Sequence, residues 1–227
     1  MHRVFRVKPR NLKQTEMNKI NAPYISSLET LSDEALYHAL ACLESHSVGS
    51  VNWQEFPYKP SVTFKIAHSD KAVAILFEVS ENHLKAVAME DNGPVWEDSC
   101  VEFFAQWPDG KHYTNFEMNC IGTMLAAKRT SRHDPEPFSP EQFTSIRRIT
   151  SLPHEEIDSK GAGQSWWAME VIPFEAFGYN SKPESFRANL YKCGDKCDQA
   201  HFLSWSPIGL PKPDFHCPDF FGQIVLA

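Results

Sequence analysis

Two glutamates are predicted to face each other across a β-hairpin near the middle of the chain. Strand-like segments flank a turn at Pro108-Asp109-Gly110-Lys111, and closing it with Trp107 opposite His112 places Glu102 opposite Glu117. Like charges opposed on one sheet face destabilise the pair unless an arginine, a metal or a hydrogen-bonding ligand offsets them. The pair therefore indicates either two carboxylates that solvent screens or a polar platform that contacts the hydroxyl groups of a ligand.

The same register divides the hairpin into two faces, because side chains alternate along a strand. The core face is predicted to hold Val101 with Met118, Phe103 with Phe116, and Ala105 with Thr114. The other face is predicted to hold Phe104 with Asn115 and Gln106 with Tyr113 beside the two glutamates, with Asn119 just beyond.

Trp96 lies shortly before the hairpin, next to Gly93-Pro94 and outside the alternating pattern, which predicts an exposed ring. A sugar offers a face of C–H bonds that packs on an aromatic ring, while its hydroxyl groups need polar partners nearby. An exposed tryptophan beside glutamate, asparagine, glutamine and arginine side chains is the composition expected of a sugar site. The alternative interpretation is that the tryptophan has no ligand and belongs to the core, as most tryptophans do.

Several blocks of sequence, in order, resemble one known family, the family 9-like carbohydrate-binding modules. The similarity covers roughly residues 50 to 227 and is far more specific than a single motif. The blocks are Val95-Trp96-Glu97-Asp98-Ser99-Cys100-Val101-Glu102-Phe103-Phe104, Asn115-Phe116-Glu117-Met118-Asn119-Cys120-Ile121-Gly122, Arg187-Ala188-Asn189-Leu190-Tyr191-Lys192-Cys193-Gly194-Asp195, His201-Phe202-Leu203-Ser204-Trp205-Ser206-Pro207-Ile208, Phe215-His216-Cys217-Pro218 and Phe220-Phe221-Gly222.

The resemblance implies a β-sandwich in which two tryptophans clamp a saccharide of the plant type, derived from glucan or xylan, without catalysis. Trp96 matches the first clamp position, Glu102 the hydrogen-bonding glutamate six residues later, and Trp205 is the candidate for the second clamp. The further expected ligand contacts are Glu117, Asn119, Arg187 and Asn189. Some related modules bind structural calcium, yet the chain has no Asp-rich loop of calcium-site spacing, so no cofactor is expected.

Two alternatives to simple sugar binding remain open. In the first, Glu102 and Glu117 act as the acid and base of a glycoside hydrolase, since residues opposed on adjacent strands lie close enough for a retaining geometry. In the second, the sandwich binds a metal or haem for redox chemistry through Cys193-x3-Cys197-x3-His201 or through axial Met and His ligands. The zinc spacing is irregular, and Met118 faces the core in the predicted register. Reduced structural thiols and no metal are therefore expected.

The elements that must position these residues are mostly short strands separated by turns, which predicts an all-β, antiparallel two-sheet sandwich of immunoglobulin or jelly-roll type. One short N-terminal helix is predicted, capped by Ser32 and extending to Leu43, and a helical turn is predicted over Phe174 to Phe177. Strands are expected over residues 3–13, 62–67, 72–79, 99–107, 112–119, 143–149, 166–172, 186–191 and 220–226. Residues 1–227 are interpreted as one domain, with residues 1–48 as an N-terminal extension.

Composition restricts the partners. Lys and Arg number 22 against 29 Asp and Glu, a net charge of −7 that argues against nucleic acid. No segment is apolar over the length needed to cross a membrane, and the first residues do not form a secretory signal. Six cysteines in a chain of 227 residues without such a signal favour reduced thiols and a cytoplasmic location. The expected partner is a saccharide, and the oligomeric state is not assigned.

Overall fold

The computed structural model describes residues 17–227 and shows two packed β-sheets with one helix longer than a single turn, so the predicted sandwich is confirmed. The strand predicted over residues 3–13 lies outside the described residues. The described strands are β1 Lys19–Ala22, β2 His46–Ser47, β3 Ser50–Val51, β4 Ser61–His68, β5 Ala72–Ala86, β6 Cys100–Gln106, β7 Tyr113–Asn119, β8 Met124–Arg129, β9 Glu136–Pro137, β10 Arg147–Thr150, β11 Ile157–Pro173, β12 Ser185–Cys193, β13 Phe202–Ser204 and β14 Gly222–Leu226.

The larger sheet follows the order β1-β14-β12-β6-β7-β8-β9, with β13 paired to β12 and β3 paired to β13. The smaller sheet follows the order β10-β11-β5-β4-β2. Neighbouring strands in both sheets run antiparallel except β1 and β14, which are parallel. The strands that hold the opposed glutamates, β6 and β7, therefore lie in the interior of the larger sheet.

The predicted hairpin register is confirmed, with Glu102 opposite Glu117 and the Trp107 amide donating to the His112 carbonyl at 2.8 Å. The turn residues impose this register because Asp109 accepts the backbone N–H groups of Lys111 and His112, each at 2.9 Å. The turn therefore determines which side chains of the two strands share a face.

The helical predictions are confirmed, and the strands predicted over 143–149 and 220–226 each begin later than predicted, at Arg147 and Gly222. Helix α1 spans Asp33–Ala41, with the Ser32 hydroxyl accepting the Ala35 amide, and a 3₁₀ turn spans Phe174–Phe177. Residues 140–143, part of which was predicted as strand, form the short helix α2, Pro140–Phe143. A capping box explains the difference, because Ser139 and Gln142 satisfy each other's backbone N–H groups.

The molecule has separate apolar clusters on the two faces of the larger sheet. The main cluster fills the space between the sheets and includes Phe103 and Phe116 from the predicted core face of the hairpin. A second cluster covers the outer face of the larger sheet and includes Phe104, Tyr113 and Tyr191. The face that holds the two glutamates is therefore largely buried beneath loops, and what remains open to solvent there is a cleft.

No helix in the part of the chain that the structure describes is long and apolar enough to cross a membrane.

Candidate functional site

A cleft of about 250 Å³ opens over the outer face of β6, β7 and β12. One water occupies roughly 30 Å³ in the liquid, so the cleft can admit an organic ligand. Its lining combines aromatic rings, carboxylates and two arginines, which are Trp96, Glu102, Glu117, Arg129, Arg132, Cys193, Asp195, Phe202, Pro213, Asp214, Phe215 and His216. Three of the seven site residues expected from sequence, Trp96, Glu102 and Glu117, lie in this cleft.

Glu102 and Glu117 form its floor. They are paired across β6 and β7, and only 3% and 5% of their surfaces are exposed. Glu102 accepts a hydrogen bond from the Cys193 thiol at 2.9 Å, and Glu117 accepts one from the Asn115 amide at 2.9 Å. The interpretation in which bulk solvent screens both charges is therefore wrong, because neither carboxyl group is immersed in solvent.

Burial changes the protonation of this floor. It raises the pKa of Glu102 well above its ordinary value, and the neighbouring charge of Glu117 raises it further. Burial also raises the pKa of Glu117 to about 7, although the Asn115 hydrogen bond and Arg129 oppose the rise. At neutral pH the pair can hold at least one proton, so the floor offers a hydrogen-bond donor as well as acceptors.

Two arginines that the sequence interpretation did not select supply positive charge. Arg129, at the end of β8, donates from Nε to the Asn115 side-chain oxygen at 2.8 Å, and Asn115 in turn donates to Glu117. Arg132 lies in the following loop, with one guanidinium nitrogen 3.8 Å from an Asp214 oxygen. Burial also raises the pKa of Asp195, on the cleft wall, to about 6.

Trp96 is the exposed aromatic ring of the cleft, with 37% of its surface accessible. It lies in a 3₁₀ turn, Val95–Glu97, whose first residue Val95 is fully buried and anchors the turn. The Trp96 carbonyl accepts the Asp195 amide at 3.1 Å. The turn is therefore held from both sides, while the indole ring remains available to a ligand.

Asn119, an expected ligand contact, has a structural role instead. It is fully buried and does not line the cleft. Its amide donates to the Ala88 carbonyl at 2.9 Å and to the Asp98 carboxylate at 3.1 Å. Its oxygen accepts the backbone N–H groups of Ile121 and Thr123. All the hydrogen bonds that the Asn119 side chain can make are thus made to the segments beside the Trp96 turn, and none is available to a ligand.

Trp205, the expected second clamp, lies in the core. It is 6% exposed, belongs to the cluster between the sheets, and contacts Phe64 edge-to-face with ring centroids 5.9 Å apart. A side chain at Gly222 would collide with the ring, so glycine at that position makes room for it. The Ser-Pro pair after Trp205 does mark a chain turn, but the turn folds the indole inward.

Arg187 and Asn189 on β12 also lie outside the cleft lining. Asn189 is fully buried and exchanges hydrogen bonds with the backbone of Ser206 at 2.8 and 3.0 Å. Arg187 donates to the carbonyls of Asp219 and Phe221, each at 3.1 Å. Both side chains attach loops to the sheet, so the expected ligand contacts at these positions are replaced by structural ones.

The family of the chain follows from a comparison with known proteins. A model described as carbohydrate-binding family 9 matches residues 32–226. The chain belongs to carbohydrate-binding family 9. No curated protein matches it significantly.

Solved structures of family 9 modules share the fold. One from Caldicellulosiruptor kristjanssonii in complex with glucose has a TM-score of 0.59 and 14% identity, covering 92% of this chain and 96% of that one. A second family 9 structure from that organism, in complex with cellotriose, has a TM-score of 0.61 and 13% identity. The match covers 92% of this chain and 93% of that one. A protein from Bacteroides uniformis ATCC 8492, provisionally described as carbohydrate-binding, has a TM-score of 0.87 and 37% identity, covering 93% of this chain and all of that one.

In this family 9 module, Phe202 and Phe215 supply the further aromatic surface of the cleft that was expected from Trp205. Phe215 stacks flat on Tyr191, with ring centroids 4.1 Å apart and planes 9° apart. Phe215, His216 and Asp195 all fall in blocks that carry the family resemblance, so the sequence held a signal for them without revealing their role. Arg129 and Arg132 had no such signal, because neither strand β8, which ends at Arg129, nor the loop after it was predicted.

The cysteine–histidine set of the metal alternative is not brought together as an ion site in the described residues. His201 lies 2.9 Å from the Lys192 ammonium and contacts the Gln199 carbonyl, a neighbourhood that binds the histidine to the protein rather than to an ion. Met118, the candidate haem ligand, is fully buried in the cluster between the sheets, as its register requires. All six cysteines, which fall within the described residues, are free thiols.

Proposed function

We propose that this family 9 module binds a saccharide in the cleft over β6, β7 and β12, without catalysing a reaction on it. The observation that carries the proposal is that the exposed indole of Trp96 and the buried Glu102–Glu117 pair line the same cleft. An accessible aromatic face satisfies the C–H surface of a sugar, and the carboxyl groups satisfy its hydroxyls.

The remaining lining suits hydroxyl groups of both hydrogen-bonding roles. Arg129 and Arg132 offer donors, Asp195 and Asp214 offer acceptors, and a partly protonated floor offers both. Phe202 and Phe215 add an apolar surface against which a second C–H face can rest. Because the floor is shielded from water, each hydrogen bond made there is worth more than one on an open surface.

The proposed ligand is a glucan fragment in preference to a xylan fragment. The support is the pair of family 9 structures, of the same fold, that hold glucose and cellotriose. A glucose unit differs from a xylose unit by its hydroxymethyl group, which can contact either the aromatic surface or the polar floor. Isothermal titration of the chain with glucose, cellotriose and xylotriose therefore compares ligands that share the ring and differ in that group.

The binding test compares Trp96→Ala with a matched tryptophan variant on the other side of the sandwich. Loss of stacking at Trp96 should weaken cellotriose binding by tenfold or more, which corresponds to about 1–2 kcal/mol. Trp167→Ala serves as the control, because Trp167 is half-buried on the smaller sheet and packs on Tyr37 of α1. Equal affinity in wild type and Trp96→Ala, or no binding of any of the three sugars, would contradict the proposal.

Hydrolysis by the same two glutamates is distinguished in the same samples. A hydrolase would convert cellotriose to shorter sugars, and Glu117→Gln would abolish that conversion. The proposal expects cellotriose to remain intact after prolonged incubation with a concentrated sample. Product formation that depends on Glu117 would replace the binding proposal with the hydrolase alternative.

A further inference from the structure

Two cysteines adjoin the carboxylate floor of the cleft. Cys100 on β6 and Cys193 on β12 are directly paired across the two strands. Glu102 lies two residues after Cys100 and therefore on the same face of the strand. The three side chains are 0%, 1% and 3% exposed. Their potential ligand atoms, two sulfurs and one carboxylate oxygen, all lie within 4.8 Å of one another.

We propose that Cys100, Cys193 and Glu102 bind a thiophilic divalent cation, with zinc as the best fit. Zinc binds thiolate sulfur at about 2.3 Å and carboxylate oxygen at about 2.0–2.2 Å in tetrahedral geometry. Two sulfurs on such an ion are about 3.8 Å apart, so the present arrangement needs only a small inward movement of side chains. Thiolate ligands select zinc and similar metals over calcium and magnesium, which prefer oxygen.

The fourth coordination position would face the cleft. Glu102 and Cys193 both line the cleft, so an ion held by these three residues has protein on one side and the ligand space on the other. Three protein ligands with an open fourth position differ from a closed structural zinc site. Water, or a ligand oxygen, can complete the coordination. An ion at the floor of the cleft would thus be an occupant distinct from the saccharide.

The charges of the three side chains suit a dication. Binding releases the thiol protons of Cys100 and Cys193 to solvent and leaves two thiolates and one carboxylate around a dication, so the occupied cluster carries a net charge of −1. The nearest buried cation in sequence, Lys192, points to the opposite face of β12, where it pairs with Glu81. It therefore leaves the cysteine face free for a metal.

The direct test uses the full chain, reduced and stripped of metal by a chelator that is then removed, with no saccharide present. Titration with Co²⁺ should give a thiolate-to-cobalt charge-transfer band that saturates at one ion per chain. Zn²⁺ should abolish the band by displacement. In Cys100→Ser and in Cys193→Ser, the charge-transfer band should lose most of its intensity. Glu102→Gln should weaken metal binding by tenfold or more.

Cys120→Ser provides the matched control, because Cys120 is equally buried but its sulfur contacts the Lys85 carbonyl instead of the cluster. Its band should match that of the wild type. Thermal unfolding of each variant shows whether it is folded. If a serine variant fails to fold, the comparison of Glu102→Gln with Cys120→Ser still decides the inference, since neither removes a cluster sulfur.

Absence of a thiolate band in the reduced wild type would overturn the inference. So would a band that survives both Cys193→Ser and Glu102→Gln, or one that disappears in Cys120→Ser. Cellotriose binding measured in the presence of chelator tests the saccharide proposal separately. Metal binding without sugar binding, or the reverse, therefore identifies which of the two proposals has failed.

Discussion

Lys192 and Glu81 form an ion pair of 2.9 Å in the interior between the two sheets, where both side chains are almost fully inaccessible. The same ammonium contacts the His201 ring nitrogen at 2.9 Å, and Glu81 also accepts the Trp166 indole N–H at 2.7 Å. Burial and the nearby Lys192 charge lower the pKa of His201 to about 2, so it acts as a neutral acceptor. This cluster connects β12 of the larger sheet to β5 of the smaller one.

Lys192→Met should destabilise the protein by about 3–5 kcal/mol, because it leaves the Glu81 carboxylate buried without a counterion. Lys192→Met combined with Glu81→Gln should cost clearly less than the sum of the two single changes, since glutamine removes the orphaned charge and still accepts from Trp166. A double-mutant cycle on urea unfolding measures this coupling. Additive single effects would show that the pair contributes little.

Trp205→Ala should lower the free energy of unfolding by about 3–5 kcal/mol, as expected when a large ring leaves a cavity between the sheets. Trp96→Ala should change it far less, because much of that ring is in contact with solvent. Urea denaturation of the two variants side by side checks the contrast. A Trp205→Ala variant with wild-type stability and lost cellotriose affinity would restore Trp205 to the site.

Asn119→Ala should destabilise the protein by about 2–4 kcal/mol, because it leaves the Asp98 carboxylate and two backbone N–H groups short of their partners. It should also weaken saccharide binding, since the segments it joins lie beside the Trp96 turn. Asn180→Ala is the control, as Asn180 is exposed. The measurements are thermal unfolding and titration with cellotriose. An Asn119→Ala variant that is as stable as Asn180→Ala would disprove the structural role.

Glu170→Gln should become progressively more stable than the wild type as pH rises from 5 to 8. Burial raises the pKa of Glu170 from 4.5 to about 8, with Arg148 opposing the rise, so the folded state retains a proton that the unfolded state releases in this range. The wild type therefore loses stability with rising pH, by on the order of 1 kcal/mol per pH unit. Urea unfolding at several pH values tests this, with the exposed Glu55→Gln as control. A stability difference independent of pH would contradict it.

Local sequence rules were sufficient for the hairpin and the helix. Asp109 and Gly110 determine the turn, and a period of two then places Glu102 opposite Glu117 without reference to the remainder of the fold. Ser32 determines where α1 starts in the same way. Strand β8 was not predicted from the sequence. It begins two residues after Gly122, and its residues are buried at first and half-buried at its end, so the strand shows no clean alternation of apolar and polar residues.

A side chain could be predicted to line the cleft only where its exposure to solvent follows from the local sequence. Trp96 and Trp205 both adjoin proline-containing turns, yet one ring is exposed and the other is buried against Phe64, 141 residues earlier in the chain. Asn119 and Asn189 are on the predicted strands, but their amides are satisfied by distant backbone groups. Whether a polar side chain is free to bind a ligand depends on such tertiary partners, which spacing along one sequence does not reveal.

The outer aromatic cluster over β6, β7 and β12 has a consequence for how the cleft responds to a ligand. The floor strands are covered on both faces, so their amide hydrogens should exchange with solvent only through global unfolding, whereas the exposed loop that carries Arg132 should open locally at lower cost. Hydrogen exchange should therefore be slow in the floor strands and fast in the Arg132 loop. A ligand that contacts Arg132 would order this loop, and differences in affinity among sugars would then arise in dissociation rates that depend on its reopening.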